Sequence, residues 1–515
     1  MTYLTIPISG KDIQECKNQI GRAMLAGAQM LELRTDYLQS LDTDKLTELI
    51  GFARQTILPI IVTCRDTSQG GQNNLPADLR KQTLVEAVKL GADFIDCEFT
   101  NFIKNDFGRN ISKILSEYPK TKLILSEHNF KSPFDNLAEI YEAIYSLCPQ
   151  AIAKTAYKAN HINDCFKAFD ILREYGEKAI AICMGEAGII SRILARKLGA
   201  FLTFASNDEN QQTAPGQISI EKMQSLYRYD TIDNKTHFFG VIADPVGHSI
   251  SPAVHNACFA AKNKNSVYLP LLVSGGKAEF EEFMNNITSR KWLDFRGFSV
   301  TIPHKVNALE YAQEKGEYID PVAVQIGAVN TLVIGVNGRL TGYNTDYAGA
   351  MQALTAAMGI SKNELKHKKA ACLGAGGAAR AIVAALSDAG ANITIYNRTI
   401  EKAQGLAGDF NCRFAGMDKL ADMDADIIIN CTSVGMYPNI NESPLPKEYL
   451  KRSHVVFDTV YNPKETQLLR DARQAGAKTV CGIEMFIYQA AEQFKIFTQE
   501  DCPMDVLRRA VFKNI

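Results

Sequence analysis

The sequence of 515 residues predicts an α/β protein of two domains: an N-terminal (β/α)8 TIM barrel, then a second α/β part containing a Rossmann lobe. Three observations carry that prediction. Short β-branched runs alternate with amphipathic stretches up to about residue 210, in the manner of repeated βα units. The chain then turns polar over 227–237 (YRYDTIDNKTH) and restarts with a fresh strand, FFGVIADPVGHS. Further on, a Gly-rich turn, CLGAGGAARA, follows an apolar run. Length points the same way, because a single core stops growing at roughly 250–300 residues.

Taken in order, the eight runs are YLTIPI, QMLELRTD, PIIVTCRD, FIDCEF, KLILSEHNF, AIAKTAY, AIAICMG and FLTFAS. Each precedes a stretch of helical period, such as PFDNLAEIYEAIYSL or INDCFKAFDILREYG. An open doubly wound sheet is the competing arrangement, but eight consecutive βα units in this span match a closed barrel. The expected boundaries are 1–226 for the barrel, 227–237 for a linker and 238–515 for the second domain.

Composition narrows the partners. Lys+Arg number 56 against Asp+Glu 57 with no dense basic block, which argues against nucleic acid and anionic membrane and leaves small molecules as ligands. The 12 cysteines are scattered, without a C-x-x-C pair or a cysteine/histidine cluster, so neither a disulfide framework nor a metal site is expected. No apolar segment reaches the ~18 residues of a spanning helix, and MTYLTIPISGKD lacks a targeting pattern. A cytoplasmic protein is expected, with a monomer as the working state.

Barrel enzymes carry their working groups at the C-terminal ends of the strands. There this sequence places Glu32, Arg34, Arg65, Glu98, His128, Lys154 and, after the seventh strand, Arg192, with Thr213 and Gln217 in the loop TAPGQ after the eighth. Each alone reads as a rim residue; together they describe one polar mouth. The three arginines suit an anionic, hydroxylated substrate, because guanidinium forks grip carboxylates at two points. Lys154 stands in an apolar run short of carboxylates, so its ammonium is expected to be disfavoured and a free amine available for imine chemistry on a ketone. His128, one strand away, is the expected proton carrier, and Glu98 the group that holds its second ring nitrogen.

ELRTD, TCRD, SEHNF, AKTA, GIISR and TAPGQ, in that order on successive strands, resemble the type I 3-dehydroquinate dehydratases across the first domain. The resemblance implies that Lys154 forms an imine with the ring ketone and that His128 moves the protons. It also implies that Arg192 and Gln217 hold the carboxylate end, while Glu32, Arg34 and Arg65 hold hydroxyls or the carboxylate. The sequence departs from the pattern at two positions: Gln69 in RDTSQGG replaces a glutamate, and Thr213 replaces a serine. Thr213 keeps the hydroxyl; Gln69 keeps the shape and loses a charge.

In the second domain the turn reads Gly374-x-Gly376-x-x-Ala379. A following strand, NITIY, ends in Asn397, Arg398 and Thr399, where an NAD enzyme carries an acidic residue for the ribose, so NADP is favoured. PVGHSISP (Ser249, Ser251), SVTIPHK (Thr301, Lys305), GAVNTL with GYNTDYAG (Asn330, Asp346), NCTSVGM, DTVYNP and GIEMFIYQAAEQF together resemble the shikimate dehydrogenases. That resemblance implies a substrate lobe of 238–342 plus 483–515 and an NADP-binding lobe of 343–482. It makes Lys305 and Asp346 the catalytic pair, with Ser249, Ser251, Thr301, Asn330, Tyr461 and Gln489 around the shikimate ring. Gly374, Ala375, Gly376, Gly377, Ala378, Asn397, Arg398 and Thr399 would hold NADP(H), and Thr459 and Gly482 its nicotinamide end.

The two halves then imply successive reactions of the shikimate pathway: dehydration of 3-dehydroquinate through a Schiff base, then NADPH-dependent reduction to shikimate, with no metal. Two other readings compete. An imine-forming aldolase fused to a quinate-preferring dehydrogenase explains Lys154 and the NADP turn but leaves SEHNF, GIISR and TAPGQ unexplained. A non-catalytic sensor of shikimate or quinate has no need of Lys154, His128, Lys305 and Asp346.

Overall fold

The computed structural model describes residues 2–209 and 212–515. Contacts group the chain into two compact units, Met1–His237 with Asn265–Ser274 and Glu282–Arg290, and Phe238–Lys264 with Gly275–Glu281 and Lys291–Ile515.

All eight expected strands of the first unit form. They are β1 (Tyr3–Ile8), β2 (Met30–Arg34), β3 (Ile60–Thr63), β4 (Phe94–Glu98), β5 (Lys122–Asn129), β6 (Ile152–Lys158), β7 (Ala179–Met184) and β8 (Leu202–Phe204). They are parallel in the order β7-β6-β5-β4-β3-β2-β1-β8. The seam between β7 and β8 is bridged where Phe201 N donates to Ala179 O at 3.0 Å, so the sheet is a nearly closed barrel.

Strand residues alternate between the barrel interior and the surrounding helices. Ile61, Phe94, Ile124, Ile152, Ile180 and Leu202 pack together in one apolar cluster inside. Two residues on from Ile152 stands Lys154, and the next inward position is Ala156. Ser126 is paired with Lys154 and His128 with Ala156 in the β5/β6 ladder. His128 therefore sits one layer nearer the C-terminal mouth than Lys154.

Two further sheets follow the barrel in the chain. The first is mixed, in the order β10-β9-β11-β13-β14-β12, from β9 (His237–Ala243), β10 (Ser266–Leu272), β11 (Phe295–Val300), β12 (Tyr318–Ile319), β13 (Thr331–Ile334) and β14 (Leu340–Tyr343). The second comprises β15 (Lys369–Leu373), β16 (Asn392–Asn397), β17 (Arg413–Gly416), β18 (Ile427–Asn430), β19 (Val455–Asp458) and β20 (Lys478–Cys481). Its order, β17-β16-β15-β18-β19-β20, is that of a doubly wound dinucleotide fold, all parallel. The topological switch point lies between β15 and β18, where such folds bind ligands beyond the strand ends. The helix Gly482–Thr498 follows β20 and returns to the first sheet, where Ser299 Oγ donates to Gln493 Oε1 at 2.8 Å.

Candidate active sites

Glu32, Arg34, Arg65, Gln69, His128, Lys154, Arg192, Thr213 and Gln217 line one cavity at the barrel mouth, with about 510 Å³ of empty space. Strand alternation explains most of the convergence, since each is an inward position or lies in the loop that follows its strand, except Arg192, which the short helix Ile189–Leu194 after β7 supplies. Phe130, Met184 and Phe204 complete the wall and lower its polarity.

Lys154 is 4 % exposed, and its Nζ donates to Asp96 Oδ2 at 2.8 Å, with Glu32 Oε1 at 3.5 Å. The expectation of an ammonium short of carboxylates is thus corrected: the partners come from β4 and β2, across the barrel interior. The Phe204 ring lies 4.6 Å from Nζ. Asp96 also accepts from Arg65 Nη2 at 2.8 Å and from Ser126 Oγ at 2.6 Å. Burial works against its charge, but Arg65 and Lys154 outweigh that cost and hold its carboxyl far below the usual range. Asp96 was missed from sequence, although FIDCEF places it two residues before Glu98 and so on the same inward face.

Glu98 has another role than the one expected. Its Oε1 accepts from Arg65 Nη1 at 3.0 Å and Asp66 N at 3.1 Å, and its Oε2 from Asn101 Nδ2 at 2.9 Å. The group on the second nitrogen of His128 is instead Gln69, whose Oε1 lies 3.1 Å from Nδ1. The chain can bring it there because Gly70 turns with φ +84° and Gly71 runs so close to Arg65 that a Cβ would stand 2.1 Å from its carbonyl oxygen. His128 titrates well below the usual imidazole range, through burial first and then the charges of Arg65 and Lys154. It is therefore a neutral base at pH 7.

The three arginines differ. Arg34 grips Asp36 in a fork at 2.9 and 2.8 Å, and Arg65 is tied to Asp96 and Glu98. Arg192, 1 % exposed, reaches Phe204 O with Nη1 at 3.4 Å, and its Nε has no hydrogen-bond partner among the described residues. Burial draws its pKa down to about 10. An uncompensated guanidinium in a cavity is costly unless an anion completes it. Close by, Gln217 Oε1 accepts from Thr213 N at 2.8 Å.

Ser249, Ser251, Thr301, Lys305, Asn330, Asp346, Ala378, Thr459, Tyr461, Gly482 and Gln489 line a second, open cavity. Lys305 Nζ is 2.5 Å from Asp346 Oδ2. Asn330 Oδ1 accepts from Thr345 N at 2.8 Å, tying the start of β13 to the helix Thr345–Met358 that carries Asp346. Gln493, missed from sequence, lines the same cavity and donates to Thr331 Oγ1 at 3.0 Å; its spacing of four from Gln489 on one helix was the available signal.

Gly374, Ala375, Gly376 and Gly377 are not part of that lining and sit beyond the end of β15. Gly374 has φ +109°, and a Cβ there would stand 2.9 Å from Thr432 Cγ2. At Gly376 and Gly377 a Cβ would meet nothing within 4 Å, so open space faces the N-terminus of the helix Gly377–Asp388. That open cradle fits a pyrophosphate. Asn397 ends β16, with Arg398 and Thr399 exposed after it.

Fold and sites define a two-centre α/β enzyme, with a lysine-centred barrel and a dinucleotide-dependent oxidoreductase. Residues 4–234 match the model of type I 3-dehydroquinase. Residues 241–332 match that of the shikimate dehydrogenase substrate binding domain, 356–465 that of shikimate / quinate 5-dehydrogenase, and 482–512 that of the shikimate 5'-dehydrogenase C-terminal domain. The chain is 36% identical over 98% of its length, and 83% of the relative's, to a chloroplastic bifunctional 3-dehydroquinate dehydratase/shikimate dehydrogenase of Arabidopsis thaliana. It is also similar to an NADP(+) shikimate dehydrogenase of Methanosarcina mazei, 42% identical over 54% of this chain and 98% of that one. A crystal structure of shikimate dehydrogenase in complex with NADP+ superposes with a TM-score of 0.51 at 41% identity, covering 55% of this chain and 97% of that one. The chain belongs to the family of bifunctional 3-dehydroquinate dehydratase/shikimate dehydrogenases. No helix among the described residues is long and apolar enough to cross a membrane.

Proposed function

We propose that the barrel dehydrates 3-dehydroquinate to 3-dehydroshikimate through an imine on Lys154, and that the second site reduces this product to shikimate with NADPH for aromatic amino acid biosynthesis. The observation that carries the first half is the enclosure of Lys154 and a neutral His128 beside Arg192, the buried guanidinium with an unpartnered nitrogen.

In this reading the substrate carboxylate completes Arg192, with Gln217 and Thr213 at its side. Asp96 fixes Nζ, and a proton leaves the ammonium before the free pair adds to the ring ketone. Loss of water gives the iminium. His128 Nε2 then takes the proton from the adjacent carbon; the C–H electron pair becomes a C=C bond and the C=N π pair moves onto nitrogen, giving an enamine. As the enamine returns its electrons, the C–O bond to the ring hydroxyl breaks and His128 returns the proton to the departing oxygen. Hydrolysis frees Lys154, and one water is lost overall. Glu32, Arg34 and Arg65 bound the ring; Arg65 and Glu98 act chiefly by holding Asp96 and the strand ends.

For the second half, NADPH when bound supplies the hydride that reduces the ring ketone. Lys305, held by Asp346, provides the proton that the ketone oxygen requires. Ser249, Ser251, Thr301, Asn330, Tyr461 and Gln489 orient the ring, and Ser251 and Thr301 leave little room for the extra hydroxyl of quinate. Gly374, Ala375, Gly376, Gly377 and Ala378 take the pyrophosphate. Asn397, Arg398 and Thr399 take the 2′-phosphate, and Thr459 and Gly482 line the nicotinamide end.

The division into 1–226, a linker at 227–237 and 238–515, with lobes of 238–342 plus 483–515 and 343–482, is part of the same proposal. So are a monomeric state, tested by size-exclusion chromatography, and a cytoplasmic location, which the twelve free cysteines support. The decisive experiment gives the whole protein 3-dehydroquinate and NADPH, and follows shikimate together with cofactor absorbance. Borohydride added with 3-dehydroquinate alone is expected to fix an adduct on Lys154. An adduct elsewhere, or none, refutes the imine.

A further inference from the structure

Gln69 is one of the two positions at which this barrel departs from its family's pattern, and the structure surrounds it with four hydrogen bonds. Its Oε1 accepts from His128 N at 2.9 Å and lies 3.1 Å from His128 Nδ1. Its Nε2 donates to Glu127 Oε1 at 2.8 Å and to Thr100 Oγ1 at 2.9 Å. Two of these contacts fix which way the amide points. A backbone N–H can only donate and an ionised carboxylate can only accept, so the oxygen must face His128 and the nitrogen Glu127. His128 then has one consistent tautomer, with the proton on Nδ1 and the Nε2 lone pair left for the substrate.

Glu127 is the second unusual feature. Among the described residues no lysine or arginine forms an ion pair with it. Its carboxylate takes hydrogen bonds from Gln69 and, at 3.4 Å, from Thr100 N. Burial pushes its carboxyl above the usual range. A carboxylate at position 69 would meet Glu127 at hydrogen-bonding distance with no proton between them, so the two acids exclude each other.

We propose that Gln69 and Glu127 are positioning residues that form a relay with His128: Gln69 locks the imidazole proton on Nδ1, and Glu127 supplies the supporting negative charge one hydrogen bond further out. The inference rests on the proposed role of His128 as proton carrier. When Nε2 takes the substrate proton the ring becomes a cation with both nitrogens protonated. Its Nδ1–H donates to the Gln69 oxygen, and the amide passes the polarisation of Glu127 to that bond. The remaining charges that act on the ring are Arg34 from β2, Arg65 from the end of β3, Asp96 from β4 and Lys154 from β6. Arg65 and Lys154 oppose the cation and Asp96 favours it. Glu127 therefore adds to the weaker side of this balance.

The test uses the full chain. Glu127→Gln keeps an acceptor for the Gln69 amide and removes only the charge. It is expected to lower dehydratase kcat several-fold at unchanged KM and to move the ascending limb of the pH profile down by about one unit, because the imidazolium loses a counter-charge. The exchange Gln69→Glu with Glu127→Gln returns a carboxylate directly to Nδ1, and the limb is expected at or above its original pH. Shikimate oxidation by the same preparations reports that the second site is intact. An unmoved limb in Glu127→Gln, or a double variant no better than the product of its single variants, overturns the relay. If a variant does not fold, 15N NMR of the unmodified protein decides the tautomer: a proton on Nε2 in place of Nδ1 overturns the proposal. Failure of the unmodified protein to turn over 3-dehydroquinate or to be trapped at Lys154 is a different result, which removes the proposed reaction itself.

Discussion

Asp96 is the residue on which the barrel's polar interior turns, and Asp96→Asn tests that claim. The side chain is fully buried and joins Lys154, Arg65 and Ser126 at 2.8, 2.8 and 2.6 Å. Removing one member of a buried ion pair costs about 3–5 kcal/mol, because the surviving charge stays desolvated. Asparagine keeps an acceptor, and Glu98 and Glu32 still face the two cations, so the lower end, about 3 kcal/mol, is expected. For a unit of this size each kcal/mol moves Tm by roughly 2–4 °C, which predicts a fall of about 6–12 °C by calorimetry at pH 7. The folded-state pKa of Asp96 is depressed, so its contribution is present above the unfolded aspartate value of about 3.9 and is lost as pH falls toward the folded value. The gap between variant and parent should therefore be full at pH 7 and narrow below about pH 4. Imine trapping should slow in parallel, since Nζ loses its fixed partner. A variant within about 0.5 kcal/mol of the parent, with unchanged trapping, would refute the view that Asp96 both stabilises the cluster and aims the lysine.

Three other expectations concern separate parts of the molecule. Arg192→Gln should raise KM for 3-dehydroquinate by about ten- to a hundredfold, the worth of a charge-assisted bidentate contact. Because Arg192 is desolvated with an unpartnered nitrogen, Arg192→Met should leave the melting temperature unchanged or raise it, and a loss of several degrees would show that the arginine is structural. Lys305→Ala should lower NADP-linked shikimate oxidation by about a hundredfold or more while dehydration continues, measured on one preparation; loss of both activities would contradict separate sites. Arg398→Glu should raise KM for NADP by about tenfold or more with a smaller effect on NAD, and equal effects on both would show that Arg398 does not meet the 2′-phosphate.

The sequence by itself determined the architecture and most of the side chains that line the two cavities. All eight barrel runs became strands, and every residue picked out at their ends except Glu98 lines the mouth. This was legible because alternation and strand order are local properties that fix which side chains face inward. The Gly-rich turn was legible for a similar reason: only glycine accommodates φ +109° at Gly374 beside Thr432.

What only the tertiary structure decided is the pairing within those sites. Lys154 looked isolated in AIAKTAY because its partners Asp96 and Glu32 lie on strands 58 and 122 residues earlier in the chain, brought alongside by barrel closure. For the same reason Glu98, adjacent by strand order, was assigned to His128, while the loop after β3 folds back to deliver Gln69 instead. Which arginine remains free for substrate could not be read either, since Arg34, Arg65 and Arg192 differ only in which carboxylates the fold places within reach. Residue type and spacing set which groups reach the barrel mouth, but hydrogen bonds and ion pairs form over about 3 Å, a distance that strand register and loop closure alone decide.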